Sequence, residues 1–364
     1  MMFILILLFF LGLLFGANAY IFVRLMQTQP ALPMIAKVLI GVCMGIATCG
    51  LFLSVALRNS GLPIVLSRGL FQVGSVWLVF LLYMVLALLV VDIAAWCNLT
   101  VPYRFWVALA FAAVVLIAGH HHYKHPKVNI LPITLDMQYD NTMTLTIVAV
   151  SDVHLGEGTN RKALAKYVDL INAQQPDVIV IAGDLVDNSV RPLYRDHMAD
   201  ELARLQAPYG IYMVPGNHEY ICGIDAVEKF IESTPITLLR DSIVTLPIGI
   251  QLIGRDDKSN PNRLDMATLI TKADSAYPTL VLDHQPYGVS EANALGVDIL
   301  LCGHTHRGQV WPLTWLTDLL FEQSHGYRQW SHTHTYVSQG LSLWGPPFRI
   351  GSDSELVVFK LLLR

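Results

Sequence analysis

Charge is nearly missing from the first third of this chain. Residues 1–119 carry only Arg24, Lys37, Arg58, Arg68, Asp92 and Arg104, too few to solvate the surface of a soluble domain. Cysteine is scarce as well. Five residues in 364, an odd number without C-x-x-C spacing, exclude a disulfide scaffold and a thiolate metal cage. Basic residues are also in deficit: the formal charge is −4, and residues 120–364 hold 19 basic against 27 acidic side chains. Such a surface is a poor partner for a polyanion, so no nucleic acid is expected.

Apolar runs long enough to cross a bilayer, which takes about 20 helical residues, fill that uncharged third. We expect four spans, near residues 2–23, 33–57, 71–96 and 102–119, making residues 1–119 an all-α, multi-pass transmembrane domain. The first span resembles a signal peptide with Ala17-Asn18-Ala19 as cleavage site. It lacks a basic start and stays apolar beyond Ala19, which favours an uncleaved helix. Four spans put both chain ends on one side of the membrane. Arg58, Arg68, Lys124 and Lys127 on that side outnumber Arg24, Lys37 and Arg104 opposite, so the positive-inside rule favours a cytoplasmic soluble domain by four charges to three. Asp92 reads as an interfacial or paired carboxylate before it reads as an ion pathway, since a transporter needs more polar residues in its spans.

Beyond a polar linker, residues 120–142, with an edge strand expected at 128–135, the grammar changes. Five short apolar runs, Leu145–Val150, Val178–Ile181, Ile211–Val214, Leu280–Leu282 and Ile299–Leu301, each break abruptly into Asp, Asn, His and Gly. Such runs read as buried strands, and Arg161–Asn172 between two of them reads as a helix with Leu164, Tyr167, Val168 and Ile171 on one face. This is an α/β pattern, and in open α/β sheets ligands gather at the carboxyl ends of strands. The residues waiting there are Asp152 and His154, Asp184, Asn217 and His218, His284, and His304 and His306. Oxygen and imidazole donors without thiolate suit Mn²⁺, Fe or Zn²⁺ better than Ca²⁺. A carboxylate can bridge two ions, and the set is large enough for both. His332 and His334 form another His-x-His without the preceding glycine, and read as surface residues.

The blocks Asp152-Val153-His154, Gly183-Asp184-Leu185-Val186-Asp187-Asn188, Gly216-Asn217-His218-Glu219 and Gly303-His304-Thr305-His306 resemble, in this order, those of the calcineurin-like metallophosphoesterases. The resemblance covers residues 143–364. The closing segments Tyr336–Leu341 and Trp344–Arg349 are similar to the membrane-associated bacterial branch related to YkuE and YaeI. The chain departs from that branch at Arg307-Gly308, where Gly-Gly is usual, and at Asp283, where Ser is usual. The resemblance implies a sandwich of two mixed β-sheets flanked by helices and a bacterial inner membrane. It also implies a ligand set: Asp152, His154, Asp184 and His306 for one metal, and Asp184, Asn217, His284 and His304 for the other. His218 would face the scissile phosphate with Asp187 orienting it.

Two cations clamping a phosphoryl group lower the pKa of bound water toward neutrality and so supply hydroxide for in-line attack. The implied protein is a membrane-anchored hydrolase of a phosphodiester, phosphomonoester or pyrophosphate, with a lipid-linked substrate among the options. The stretch Trp311–Trp330 holds aromatic and aliphatic residues that fit either a membrane interface or packing beneath the site loops. The alternative from another class is a membrane-anchored sensor or scaffold that binds a phosphorylated ligand without turnover.

Overall fold

The computed structural model describes residues 2–57, 60–61, 63–135 and 143–364. The chain divides into two compact units, residues 1–121 with 345–348, and residues 122–344 with 349–364.

The first unit is helical: α1 (Met2–Thr28), α2 (Met34–Ala56), α3 (Ile64–Trp96) and α4 (Arg104–Tyr123). Each holds an apolar stretch of membrane-spanning length. The third begins seven residues before the expected 71, because Ile64-Val65-Leu66 follows Pro63, which fits a helix start. Helices α2 and α3 approach closely through glycine, as small residues allow inside membranes; a Cβ on Gly50 would stand 2.8 Å from the Leu70 carbonyl oxygen. Asp92 is paired within the bundle, accepting from the Tyr20 hydroxyl at 2.5 Å and from the Arg24 guanidinium, which matches the paired-carboxylate expectation. Arg58, one of the charges used for orientation, lies outside the described residues.

In the second unit two six-stranded mixed sheets face each other. The first runs β1 (Lys127–Leu135), β12 (Glu355–Leu363), β2 (Met143–Val150), β3 (Val178–Ala182), β4 (Ile211–Val214) and β5 (Ile236–Leu238). The second runs β10 (Gly326–Trp330), β11 (Thr333–Val337), β9 (Ile299–Cys302), β8 (Thr279–Leu282), β7 (Gln251–Gly254) and β6 (Ser242–Thr245). Strand β3 shows why the layers form. Val178, Val180 and Ala182 enter the core between the sheets, while Ile179 and Ile181 enter the core beneath the helices, the period-two alternation of a strand buried on both faces. Helices α5 (Arg161–Asn172), α6 (Arg191–Arg195), α7 (Met198–Leu202), α8 (Asn217–Cys222) and α9 (Ile224–Ile231) lie between strands of the first sheet in sequence. Helices α10 (Met266–Lys272), α11 (Val289–Ala294) and α12 (Leu313–Leu320) do so for the second.

The expected linker of 120–142 is largely structured. α4 continues to Tyr123, and β1 pairs in parallel with β12 along its whole length at the sheet edge; residues 136–142 lie outside the described residues. The polar composition there reflects an edge strand with one face in water, burial alternating toward its end.

Candidate metal centre

Strands β2, β3 and β4 of the first sheet and β8 and β9 of the second end at one place. Their carboxyl ends deliver Asp152 and His154, Asp184 and Asp187, Asn217 and His218, His284, and His304 and His306. The backbone there is unusual. Asp152, His154, Asp184, His304 and His306 all have positive φ, between 47° and 74°. Non-glycine residues in this region cost about 1–3 kcal/mol each and persist where function requires the geometry.

Most of the donor atoms fall into two adjacent clusters, Asp152–His154–His306 and Asp184–His284–His304, and His154 also groups with Asp187 and His218. In the first, His154 Nε2 stands 3.1 Å from His306 Nε2 and 3.7 Å from Asp184 Oδ2, and His306 Nε2 is 3.5 Å from Asp152 Oδ1. In the second, His284 Nε2 lies 3.2 Å from both Asp184 Oδ2 and Asn217 Oδ1, and His304 Nδ1 is 2.9 Å from Asn217 Oδ1. Asp184 Oδ2 groups with His284 and His304 and also stands 3.7 Å from His154 Nε2 of the first cluster. Ligands about 2.0–2.2 Å from a common ion are separated by distances of this order.

Two of the donors are held in the protonation state that a divalent cation needs. Burial, and then the neighbouring His154, holds His306 well below the usual imidazole range, so its lone pair stays available. Burial works against charge on Asp184, yet His284, His218 and His154 keep its pKa well below the carboxylate range. His154 Nδ1, Asp187 Oδ1 and His218 Nδ1 are buried without a hydrogen-bond partner, a concentration of polar atoms that water-free packing alone would not tolerate. His218 and Asp187 lie beside the clusters: Nδ1 to Oδ1 is 3.2 Å, an ion-pair distance with poor hydrogen-bond alignment. Burial opposes a charge on His218, but Asp187, Asp184 and Glu219 raise its pKa to about 9.

Glycine is obligatory where the sheets meet the site. A Cβ on Gly303 would stand 2.5 Å from Asp152 Oδ2 and 2.7 Å from Ser151 Cβ. Gly303→Ala should push Asp152 out of the first cluster, lowering stability by about 1–3 kcal/mol and halving the bound metal. A thermal scan with metal analysis checks both, and unchanged metal content would disprove the placement.

The calcineurin-like phosphoesterase family matches residues 145–308. An uncharacterized metallophosphoesterase of Campylobacter jejuni is 30% identical over 273 residues, 72% of this chain and 71% of that protein. The chain belongs to the calcineurin-like metallophosphoesterases. A Helicobacter pylori (strain J99) metallophosphoesterase is 35% identical over 65% of this chain. A Danio rerio "transmembrane protein with metallophosphoesterase domain" is 32% identical over 69% of it. The match spans only 64% and 61% of those two relatives' own lengths. YkuE of Bacillus subtilis is 29% identical, over 59% of this chain and 78% of its own.

Both departures from the usual metallophosphoesterase branch pattern have a visible setting. Arg307 adopts φ 48°, a conformation glycine takes without strain. Asp283 is buried, and Arg255 Nη1 donates to it at 2.5 Å with Arg263 Nη1 at 3.3 Å, so two cations accompany the extra carboxylate. His334 contacts the Tyr327 hydroxyl at 2.8 Å on the β10–β11 pair, away from the clusters.

Three supporting residues had no role in the sequence reading. Glu219 is fully buried and accepts from the backbone N–H groups of Gly216 (2.6 Å), Asp184 (3.0 Å) and Val186 (2.9 Å), tying the β3 and β4 loops together. Its signal was the glycine three residues before it, a capping-box spacing. Buried Asp257, held by Gln285 Nε2 at 2.8 Å, exerts its charge on His284 and His304. Arg349, 1% exposed, donates to the backbone carbonyls of His306, Gln339 and Ser342.

Proposed function

We propose that this chain is a membrane-anchored phosphoester hydrolase with two divalent metals. Its substrate, in this reading, is a phosphodiester, phosphomonoester or pyrophosphate, with a lipid-linked ester favoured by the four apolar helices. The observation that carries the proposal is the pair of adjacent donor clusters, with Asp184 Oδ2 3.2 Å from His284 Nε2 in one and 3.7 Å from His154 Nε2 in the other. Asp152, His154, Asp184 and His306 would hold one ion, and Asp184, Asn217, His284 and His304 the other. Bound there, two cations of the Mn, Fe or Zn kind would neutralise phosphoryl charge and bring the pKa of water near 7.

The chain's own groups do the rest. The peptide N–H of His218 donates to Asp184 Oδ1 at 2.9 Å, which fixes the imidazole's helix start against the shared carboxylate. Asp187 faces Nδ1 of His218 and favours its protonated form, leaving Nε2 to give a proton to the departing alkoxide. The Trp344 ring, centred 6.2 Å from that of His218 and 39% exposed, borders the same side and would pack against the leaving group. The lone pairs of Glu219 go to backbone donors, so it is a positioning residue.

The test uses detergent-solubilised full-length protein loaded with Mn²⁺, acting on bis-p-nitrophenyl phosphate beside p-nitrophenyl phosphate. His218→Ala should lower turnover by about 10²- to 10⁴-fold, the usual worth of a general acid, with metal content unchanged. Loss of metal in that variant would contradict its role. Full metal occupancy without turnover on either ester or on a lipid pyrophosphate would favour the sensor or scaffold instead. No ligand of the implied set is replaced in this sequence, which is why the hydrolase is preferred.

A further inference from the structure

Helix α12 has its amphipathicity reversed. Thr314 and Thr317 face inward, 4% and 8% exposed, while Trp315, Leu316, Leu319 and Leu320 are 52–83% exposed. Its inward polarity has a local reason: the Thr317 hydroxyl donates to the Leu313 carbonyl at 2.9 Å. The outward face has none within the domain. Scattered exposed leucines are ordinary, but contiguous large apolar side chains on one helix mark a surface that meets something apolar.

We propose that the outward face of α12 lies in the headgroup region of a lipid bilayer. This rests on the membrane-anchoring part of the proposed function and adds a second point of membrane contact. Two observations favour lipid over a second copy of the chain. Between the end of α4 and the start of β1 there are three residues, Lys124–Pro126, a tether of at most about 10 Å of chain. The face itself combines leucines with Trp311 and Trp315, whose rings meet edge to face at 5.2 Å, the side-chain mixture of interfacial helices. Asp318, the acidic residue of the helix, is engaged by the Ser324 hydroxyl. The surface also leads somewhere: Phe321, directly after α12, has its ring 6.2 Å from His304 and 5.4 Å from Tyr287. Docking would hold this rim of the metal centre at the level of lipid headgroups.

Photo-crosslinking reads the contact without requiring turnover. p-Benzoylphenylalanine is placed at Leu319, at Leu39 on the exposed side of α2, or at Tyr194 on α6, in full-length protein in nanodiscs of phosphatidylethanolamine and phosphatidylglycerol. Lipid adducts, read by mass spectrometry, should form at Leu319 and Leu39 and be several-fold weaker at Tyr194. Adducts at Leu39 but not at Leu319 overturn the docking of α12 alone. Adducts at neither overturn the anchoring and the docking together. Protein dimers crosslinked through Leu319 in place of lipid would assign the face to a second copy.

Discussion

Asp184→Ala should leave the protein folded and empty. Wild-type protein loaded with Mn²⁺ should carry two equivalents of metal, and the variant close to none, with turnover of bis-p-nitrophenyl phosphate at the buffer background. The reason is geometric. Asp184 Oδ2 is the one oxygen near both His154 Nε2 (3.7 Å) and His284 Nε2 (3.2 Å), so losing it removes an anionic ligand from each cluster at once. What remains in the second cluster is two imidazoles and an amide with no anionic ligand, a set that binds Mn²⁺ more weakly than one containing carboxylate. Asp184→Asn keeps the shape and the oxygen that accepts from the His218 N–H, and so separates charge from packing. If charge is what matters, Asn should lose metal as completely as Ala. One equivalent retained in either variant would mean that the two clusters are independent sites.

The candidate ligands stood out in the sequence because the fold writes them locally. A strand buried on both faces must be a continuous apolar run, and its end must turn; a metal ligand placed at that turn stands out against the run before it, as Asp184 does after Val178–Ala182. Helix α5 was legible for the same reason, since Leu164, Tyr167, Val168 and Ile171 repeat at helical spacing and all four are buried. Residues that act at long range were not. Glu219 reaches back 35 residues to the Asp184 N–H, and Arg349 reaches 43 residues to the His306 carbonyl. No periodicity links such pairs. The edge strand β1 was half hidden, because an edge with one wet face has a composition close to that of a linker. The outward leucines of α12 were visible, but which face they occupied was not: composition is blind to the direction of a short helix, and only burial separates Thr317 from Leu316.

Arg349 should prove the costliest single loss in the second unit. Its guanidinium donates to the carbonyls of His306 (2.9 Å), Gln339 (2.5 Å) and Ser342 (2.5 Å), holding the last His-x-His loop against the segment before β12. Burial pulls its pKa down to about 10, so it remains a cation at neutral pH. Arg349→Met fills similar volume but strands those carbonyls, each worth about 1–3 kcal/mol when left unpaired in the interior. Three such carbonyls together cost about 3–5 kcal/mol, which in a domain of this size lowers Tm by roughly 10 °C. Lysine should not rescue it, because a single ammonium cannot reproduce a planar fork spanning carbonyls on different segments. The placement of His306 follows. Its peptide carbonyl is pinned by Arg349 while its φ of 47° is held in the left-handed region, so releasing the pin lets the backbone relax and carries Nε2 away from Asp152 and His154. Weaker Mn²⁺ binding at the first cluster is therefore expected alongside the lower Tm, measured below the unfolding transition by titration. A variant that melts early yet binds both ions with wild-type affinity would show that Arg349 supports the domain without positioning the ligand.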